Sequence, residues 1–346
     1  MSPPENDQGP IPVIDISRPS ETVAQQVLDA ASTHGFLYIK NDGVTIPPQD
    51  IDDMFKVSQG FFAAPKEHKS EFAIHSEKAG GINRGWVQMQ GESLDPQGQK
   101  QGDPKEAFNI GPPNPTLQPL PSPLRESSEL ISRFQSSCHA LCTNILSLLN
   151  TALQIPDPHY FSTRHDQSLG LSGTIFRMLY YPPTLSQGKE SKQGETSIRA
   201  GAHSDYGSLT LLFRLPGQPG LELSTPSGWR AVPVDPSPST NQYPPILVNI
   251  GDLLCYWTNG MLKSTVHRVT FEGGQERYSM AYFCHPLDEA RLDAVPSPAI
   301  ERFGNRGEEE LRSQRKRLGL REDGLGEEII TAKGHLERRL KVTYGI

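Results

Sequence analysis

Apolar positions recur along this chain with two periods, and the change from one to the other divides it. The first half is spaced for helices. Val23, Ala24, Val27, Leu28 and Ala31 fall on one stripe behind Ser20, a suitable N-cap, and Gly35 closes the run. A second amphipathic helix is predicted after Pro47-Pro48, with Ile51, Met54, Phe55, Val57 and Ser58 on one side, ending before Pro65. Ile131, Phe134, Cys138, Leu141, Cys142, Ile145, Leu148 and Leu149 predict a long helix over roughly 124–154, stopped by Pro156. That helix is the expected spine for a sheet. Ile11–Ile16 and Phe36–Ile39 read as strands, and residues 76–121, rich in Gly and Pro, as irregular.

From about residue 172 the spacing becomes that of short strands. They are expected at Thr174–Tyr181, Gly207–Arg214, Leu221–Ser224, Ile246–Ile250, Thr265–Phe271 and Tyr278–Phe283, with polar loops at 182–199 and 233–245. Many short strands with turn signals between them predict a sandwich or jelly roll. The tail, about 307–343, returns to helix, and its Arg312–Arg317 run behind Glu308-Glu309-Glu310 reads as a solvated face. The fold class is therefore mainly β with flanking helices (α+β). Residues 1–10 are expected to be a disordered lead. Residues 11–346 read as one compound domain: a mixed helical part over 11–171, a jelly-roll core over 172–290, and C-terminal helices over 291–346.

Composition narrows the class of function. With 346 residues, 35% hydrophobic and 21% charged, the chain is long enough for a proper core. A net charge of -7 argues against nucleic acid and anionic membranes as partners. Cys138, Cys142, Cys255 and Cys284 form no CxxC pair and read as reduced, packed thiols. No apolar run approaches the ~20 residues of a membrane span. The polar, Pro-rich start is unlike a signal peptide, so a cytoplasmic setting is expected. Neither an oligomeric state nor a substrate's identity is written in a readable motif.

His203-Ser204-Asp205, with His267 far downstream, carries the chemistry. On a strand, i and i+2 share a face, and Asp205, followed by Tyr206-Gly207, sits where the strand would turn. Two imidazoles and a carboxylate can occupy one face of a metal ion and leave the opposite face open, as in non-haem Fe(II) oxygenases. H-x-D alone is a weak signal, because strand histidines and turn aspartates are common. The other eight histidines have no comparable context and read as surface or core residues. Asp252, in Asn249-Ile-Gly-Asp, is a rival carboxylate but reads as a turn residue. Zinc is a rival metal, although no H-E-x-x-H motif supplies the usual general base. Arg277 and Ser279 share a strand face, and a guanidinium with a hydroxyl suits a carboxylate. A metal ligand on one strand and this pair on its neighbour would hold a keto acid across the metal.

Several segments in order resemble the 2-oxoglutarate-dependent Fe(II) dioxygenases of the isopenicillin N synthase-like family. They are Ile11-Pro-Val-Ile-Asp-Ile, His34-Gly-Phe-Leu-Tyr-Ile, Gly85-Trp86, Leu94-Asp95-Pro96, Lys105 to Gly111, Leu179-Tyr-Tyr-Pro-Pro, His203-Ser-Asp, Asn249-Ile-Gly-Asp, Lys263 to Val269 and Arg277-Tyr-Ser. The resemblance spans about Ile11 to Tyr344. It implies a double-stranded β-helix (jelly roll), Fe(II) on His203, Asp205 and His267, and O2 as cosubstrate. It also implies the distal carboxylate of 2-oxoglutarate on Arg277 and Ser279, assisted by Tyr181. The substrate would be a small molecule, placed near the barrel mouth, where Phe213, Trp257 and the C-terminal helix are candidates to line it. The loop 183–199, the Leu254-to-Asn259 segment and the Arg338-Arg-Leu-Lys tail look more like fungal members, which often modify secondary metabolites. Some members do without 2-oxoglutarate and use the Arg-x-Ser pair for the substrate's own carboxylate. An oxidase of that kind, and a non-catalytic ligand-binding protein on the same scaffold, are the two alternatives.

Overall fold

The computed structural model describes residues 9–95, 98–99, 101–113, 116–183, 196–239, 241–272, 274–317 and 330–345. Most of the expected lead, and most of the 182–199 loop, lie outside the described residues. Among the described residues twelve strands are formed: β1 (Val13–Ile14), β2 (Phe36–Ile39), β3 (Gly85–Val87), β4 (Glu106–Ile110), β5 (Ile175–Tyr181), β6 (Thr196–His203), β7 (Leu209–Arg214), β8 (Leu221–Thr225), β9 (Gly228–Ala231), β10 (Ile246–Ile250), β11 (His267–Glu272) and β12 (Arg277–Cys284). One sheet has eight strands in the order β1-β2-β10-β7-β12-β5-β4-β3, and the other has four in the order β6-β11-β8-β9. The helices are α1 (Glu21–Thr33), α2 (Pro48–Ala63), α3 (Lys66–Ser70), α4 (Ser122–Arg125), α5 (Ser128–Ala152), α6 (Tyr160–Arg164), α7 (Asp252–Trp257), α8 (Pro298–Phe303), α9 (Glu308–Arg317) and α10 (Ala332–Tyr344).

Strand alternation gives the large sheet two different faces. Phe176, Met178, Leu209, Leu211, Phe213, Val248, Met280 and Tyr282 point to one side, into a core shared with α1, α2 and α5. Their strand neighbours point to the other side, toward the four-stranded sheet. There Leu179, Tyr181 and Ala281 meet Ala200, Val269 and Phe271, while Phe36, Tyr38 and Leu247 meet Leu221 and Leu223. Burying each large apolar side chain is worth about 1.5–3 kcal/mol. A one-residue slip of any strand would turn that set outward, so the register is strongly fixed.

The helical pattern is realised with small shifts. Ser20 caps α1 by accepting the Val23 N–H at 3.2 Å. All eight residues expected on the long spine stripe are buried in α5, which begins at Ser128 after the short α4 instead of running on from residue 124. Three expectations are corrected. Residues 76–121 contain β3 and β4, the latter paired along β5, and strands of three to five residues are too short to show a period. The 182–199 loop gives way to β6 at Thr196, and Gly228–Ala231 forms β9. Asp252 opens α7 instead of a turn, and its carboxylate is buried, with Oδ1 accepting from Ser264 Oγ at 2.7 Å and Oδ2 3.6 Å from Arg339 Nε.

Gly35 joins the end of α1 to the approach toward His267. Its φ is +67°, and a Cβ there would lie 2.4 Å from Lys263 O and 2.5 Å from Thr265 Oγ1. Thr265 Oγ1 in turn donates to His34 O at 2.7 Å. Gly35→Ala is expected to cost about 2–4 kcal/mol, from the left-handed backbone together with the overlap. Urea denaturation checks this, and an unchanged midpoint would contradict it.

Candidate metal centre and its cavity

β6 and β11 are antiparallel neighbours, and their register sets His267 directly opposite His203. The two rings are 4.4 Å apart between centroids. Each imidazole is turned by its own backbone: His203 Nδ1 lies 2.7 Å from Gly201 O and His267 Nδ1 lies 3.1 Å from Thr265 O. A carbonyl can only accept, so Nδ1 carries the proton and the Nε2 lone pair is left for a ligand. Both Nε2 atoms point to the same place, each 3.8 Å from Asp205 Oδ1. The three donor atoms lie within 4.8 Å of one another.

Asp205 follows the end of β6, and its carboxylate is fixed from the opposite sheet. Thr210 Oγ1 and Asn249 Nδ2 both donate to Oδ2 at 2.7 Å, which leaves Oδ1 facing the imidazoles. The backbone is held too, because the Asp252 N–H donates to Asp205 O at 2.8 Å. Gly251 permits this close approach: a Cβ there would sit 2.1 Å from Gly207 O. The Asn249-Ile-Gly-Asp motif is thus a clamp on the loop that carries Asp205.

The electrostatics favour a cation. Burial, then His267, lowers the His203 pKa to about 4, which keeps the ring neutral and able to bind metal. Burial alone would raise the Asp205 pKa, but His267 and His203, with the hydrogen bonds from Asn249 and Thr210, outweigh it and lower it. Two inward lone pairs and one oriented carboxylate oxygen are a donor set that fits a divalent iron ion.

One cavity contains this triad and also Arg277, Ser279 and Tyr181. Arg277 is 2% exposed, with Nε donating to Pro219 O at 3.1 Å and Nη1 to Ser279 Oγ at 3.1 Å. Tyr181 is its cross-strand partner, with its ring 5.2 Å away. No carboxylate among the described residues pairs with Arg277. A buried guanidinium without an anion is costly, and one in a cavity wall is a site for a ligand's carboxylate. The Arg-x-Ser pair was expected on a strand neighbouring one that carries a metal ligand. It lies on β12 in the large sheet, whereas His267 lies on β11 in the small one, so the two groups face each other across the jelly roll.

Other expectations sort cleanly. α10 lines the cavity through Leu336, Leu340, Thr343 and Tyr344, whereas Phe213 and Trp257 are packed in the helix-side core. Thr210 had no sequence signal beyond its strand. A second polar group in the same cavity wall was missed altogether: Asn83, Glu92, Lys105 and Arg177. Arg177 has the signal that singled out Arg277, a charge among apolar neighbours on a core strand. His285 and His335, set aside from sequence, are buried and held to about 3 and about 4, each mainly by burial.

Comparison with known proteins gives two family matches. Residues 11–132 match the non-haem dioxygenase in morphine synthesis N-terminal model, and residues 172–286 match the 2OG-Fe(II) oxygenase superfamily model. A UPF0676 protein of Schizosaccharomyces pombe is 33% identical over 97% of this chain and 93% of its own length. The proline hydroxylase buaE of Petromyces alliaceus is 32% identical over 77% of this chain and 82% of its own. A full-length Neurospora crassa protein, solved in complex with alpha-KG and thymine, has a TM-score of 0.72 and 29% identity over 97% of this chain and 98% of its own.

Two tests follow from the centre. Asn249→Ala and Thr210→Val each free one side of Asp205 and are expected to weaken Fe(II) binding about 10- to 100-fold, read by anaerobic metal titration. In metal-free protein, His203, His285 and His335 have folded-state pKa values of about 4, 3 and 4, against 6.5 for the free side chain. The unfolded chain takes up their protons first, so stability is full above pH 6.5 and falls as pH drops toward those values. His335→Leu should remove about 3 kcal/mol of that fall by pH 4, measured as urea midpoints across pH. A flat pH profile would contradict the assignment.

Proposed function

The chain belongs to the 2OG-Fe(II) oxygenase superfamily, and on that premise we propose that His203, Asp205 and His267 hold its iron and that Arg277, Ser279 and Tyr181 hold its 2-oxoglutarate. The protein is a 2-oxoglutarate-dependent dioxygenase, an oxidoreductase using Fe(II) and O2. When bound, Fe(II) with 2-oxoglutarate and O2 supplies the oxidising power, one oxygen atom leaving in succinate beside CO2 and the other serving to oxidise the substrate.

This chain's own residues then have separate tasks. The imidazoles offer Nε2 because Gly201 O and Thr265 O hold their Nδ1 protons. Thr210 and Asn249 aim Asp205 Oδ1. Arg277 and the Ser279 hydroxyl take the far carboxylate of the cosubstrate, which orients its keto end toward the triad. The apolar wall of Leu179, Val269 and Ala281 excludes bulk water from the space between. The observation that carries this reading is the buried Arg277, without an anion, in one cavity with three convergent metal donors.

The substrate is a small organic molecule. The relatives' thymine and proline are compact and polar, which supports a substrate of that size here. A role in secondary metabolism is supported by the match to the non-haem dioxygenase in morphine synthesis N-terminal model. A cytoplasmic setting is supported by composition, and no helix among the described residues is long and apolar enough to cross a membrane. Residues 11–346 work as one compound domain, a reading supported by the place of β1 to β4 in the same sheet as the core strands.

Fe(II) and 2-oxoglutarate added without oxygen should give a weak visible charge-transfer band, absent in His267→Ala. Arg277→Leu removes two charge-assisted hydrogen bonds worth about 3–4 kcal/mol, so the KM for 2-oxoglutarate should rise on the order of 10²- to 10³-fold. Turnover with no succinate would instead indicate an oxidase that dispenses with 2-oxoglutarate. Absence of both the band and metal uptake would leave a ligand-binding protein.

A further inference from the structure

β6 delivers His203, and it is irregular where it does so. Between His267 and Val269, β11 has one residue, Arg268. Between their partners, His203 and Ala200, β6 has two, Gly201 and Ala202. The extra residue is a β-bulge, a device by which a strand re-aims a side chain. A bulge also takes backbone groups out of the ladder. Gly201 is buried, so its N–H needs an acceptor from elsewhere.

The acceptor is Asp103, from the approach to β4 in the other sheet: its Oδ1 takes the Gly201 N–H at 2.9 Å. Asp103 is fully buried, and its carboxylate meets donors on every side. Gln99 Nε2 donates to Oδ1 at 3.0 Å, Lys105 Nζ to Oδ2 at 2.6 Å, and the Leu94 N–H to Oδ2 at 3.3 Å. A carboxylate has about four acceptor positions, and filling them fixes its plane. The Asp103 backbone is held too, its N–H donating to Glu92 O at 2.9 Å. Lys105 is itself buried and fixed: its Nζ lies 2.9 Å from Glu92 Oε1, which also accepts from Arg177 Nη2 at 2.5 Å. The same segment touches the bulge directly. A Cβ at Gly201 would lie 2.3 Å from Gln99 Oε1 and 2.8 Å from Asp95 Cβ. Gly201 is thus gripped twice, its N–H by Asp103 and its carbonyl by His203 Nδ1 at 2.7 Å.

We propose that Asp103, with Lys105 locking its second oxygen, is the positioning residue for His203. It fixes the Gly201 backbone at the bulge, and the Gly201 carbonyl then turns the imidazole so that Nε2 faces Asp205 and His267. The role rests on the reading of His203 as an iron ligand. The carbonyl that turns His267 belongs to Thr265, which is anchored elsewhere, through Oγ1 to His34 O at 2.7 Å. The two histidines therefore answer to different supports. An amide cannot replace the carboxylate, because its NH2 would be set against N–H donors.

The test reads the imidazoles themselves, by NMR of metal-free, full-length protein with 15N-labelled histidine. The His203 and His267 Nδ1 protons give separate signals, and His267 is the internal control. In Asp103→Asn the His203 proton should exchange with water about tenfold faster or more, with the His267 proton within about threefold of its original rate. Anaerobic titration with Co(II) as the probe metal should show binding weakened about 10- to 100-fold, with a changed visible spectrum at saturation. Asp103→Asn can fail to fold. Asp103→Ala/Lys105→Met removes one charge of each sign, leaves Glu92 with Arg177, and should show the same one-sided loss. In the wild-type protein the Gly201 amide should exchange slowly, and fast exchange there would overturn the proposal without any variant. So would His203 and His267 signals that change alike, or not at all. A Co(II) site that no Asp103 variant weakens sinks the positioning role alone. One-sided loss at His203 in a protein that binds no metal keeps that role and sinks the iron reading.

Discussion

Two hydrogen bonds to one oxygen, Thr210 and Asn249 onto Asp205 Oδ2, hold the two sheets to a common geometry. The histidines come from the four-stranded sheet, whereas the donors that aim the aspartate come from the eight-stranded one. Without that link Asp205 would be a loop carboxylate free to rotate, and the three donor atoms would not converge. Burial strengthens the link, because both hydrogen bonds are to an ionised group away from water. The Gly207–Gly251 contact then fixes the backbone beneath it.

The large sheet turns this local arrangement into a functional surface by simple alternation. Its outer face is mainly apolar and meets helices, with Glu106 there paired to Lys69. Its inner face carries Arg177, Tyr181, Thr210, Asn249, Arg277 and Ser279 among smaller apolar residues. Polar groups so placed are kept away from water and cannot be left idle, so each has either a protein partner or a ligand to meet. Arg214, also buried and facing inward, illustrates the first case: it donates to Val232 O at 2.9 Å and Pro233 O at 2.8 Å and is structural. Arg277 illustrates the second.

Legibility in the sequence followed the length and regularity of each element. α5 and α1 were readable because a stripe repeated over several turns leaves little choice. β10 was readable because four apolar residues, interrupted only by Asn249, sit between turn signals. β3 and β9 were too short to show a period, and β6 follows a polar stretch that masks its alternation. At the site, His203, Asp205 and His267 were visible as residue types with a spacing, and the face-sharing argument for Arg277 and Ser279 carried over intact. The opposition of β11 and β12 across two sheets was not visible, since strand order is a property of tertiary pairing. Thr210 and the Glu92–Arg177 cluster were hidden for the same reason: their roles depend on what stands across from them.

The pairing of β2 with β10 has a kinetic side. Phe36 meets Asn249 and Ile39 meets Ile246, so an N-terminal strand is seated between β1 and the far half of the sheet. Contacts this distant in sequence require a long loop to close before they return any energy, and such topologies fold slowly. Asn249 and Phe36, which packs edge-on to His267, are fixed by this same late event. The proposed iron pocket is therefore complete only once this long-range pairing has formed, which makes the site a property of the closed sheet and not of any one segment.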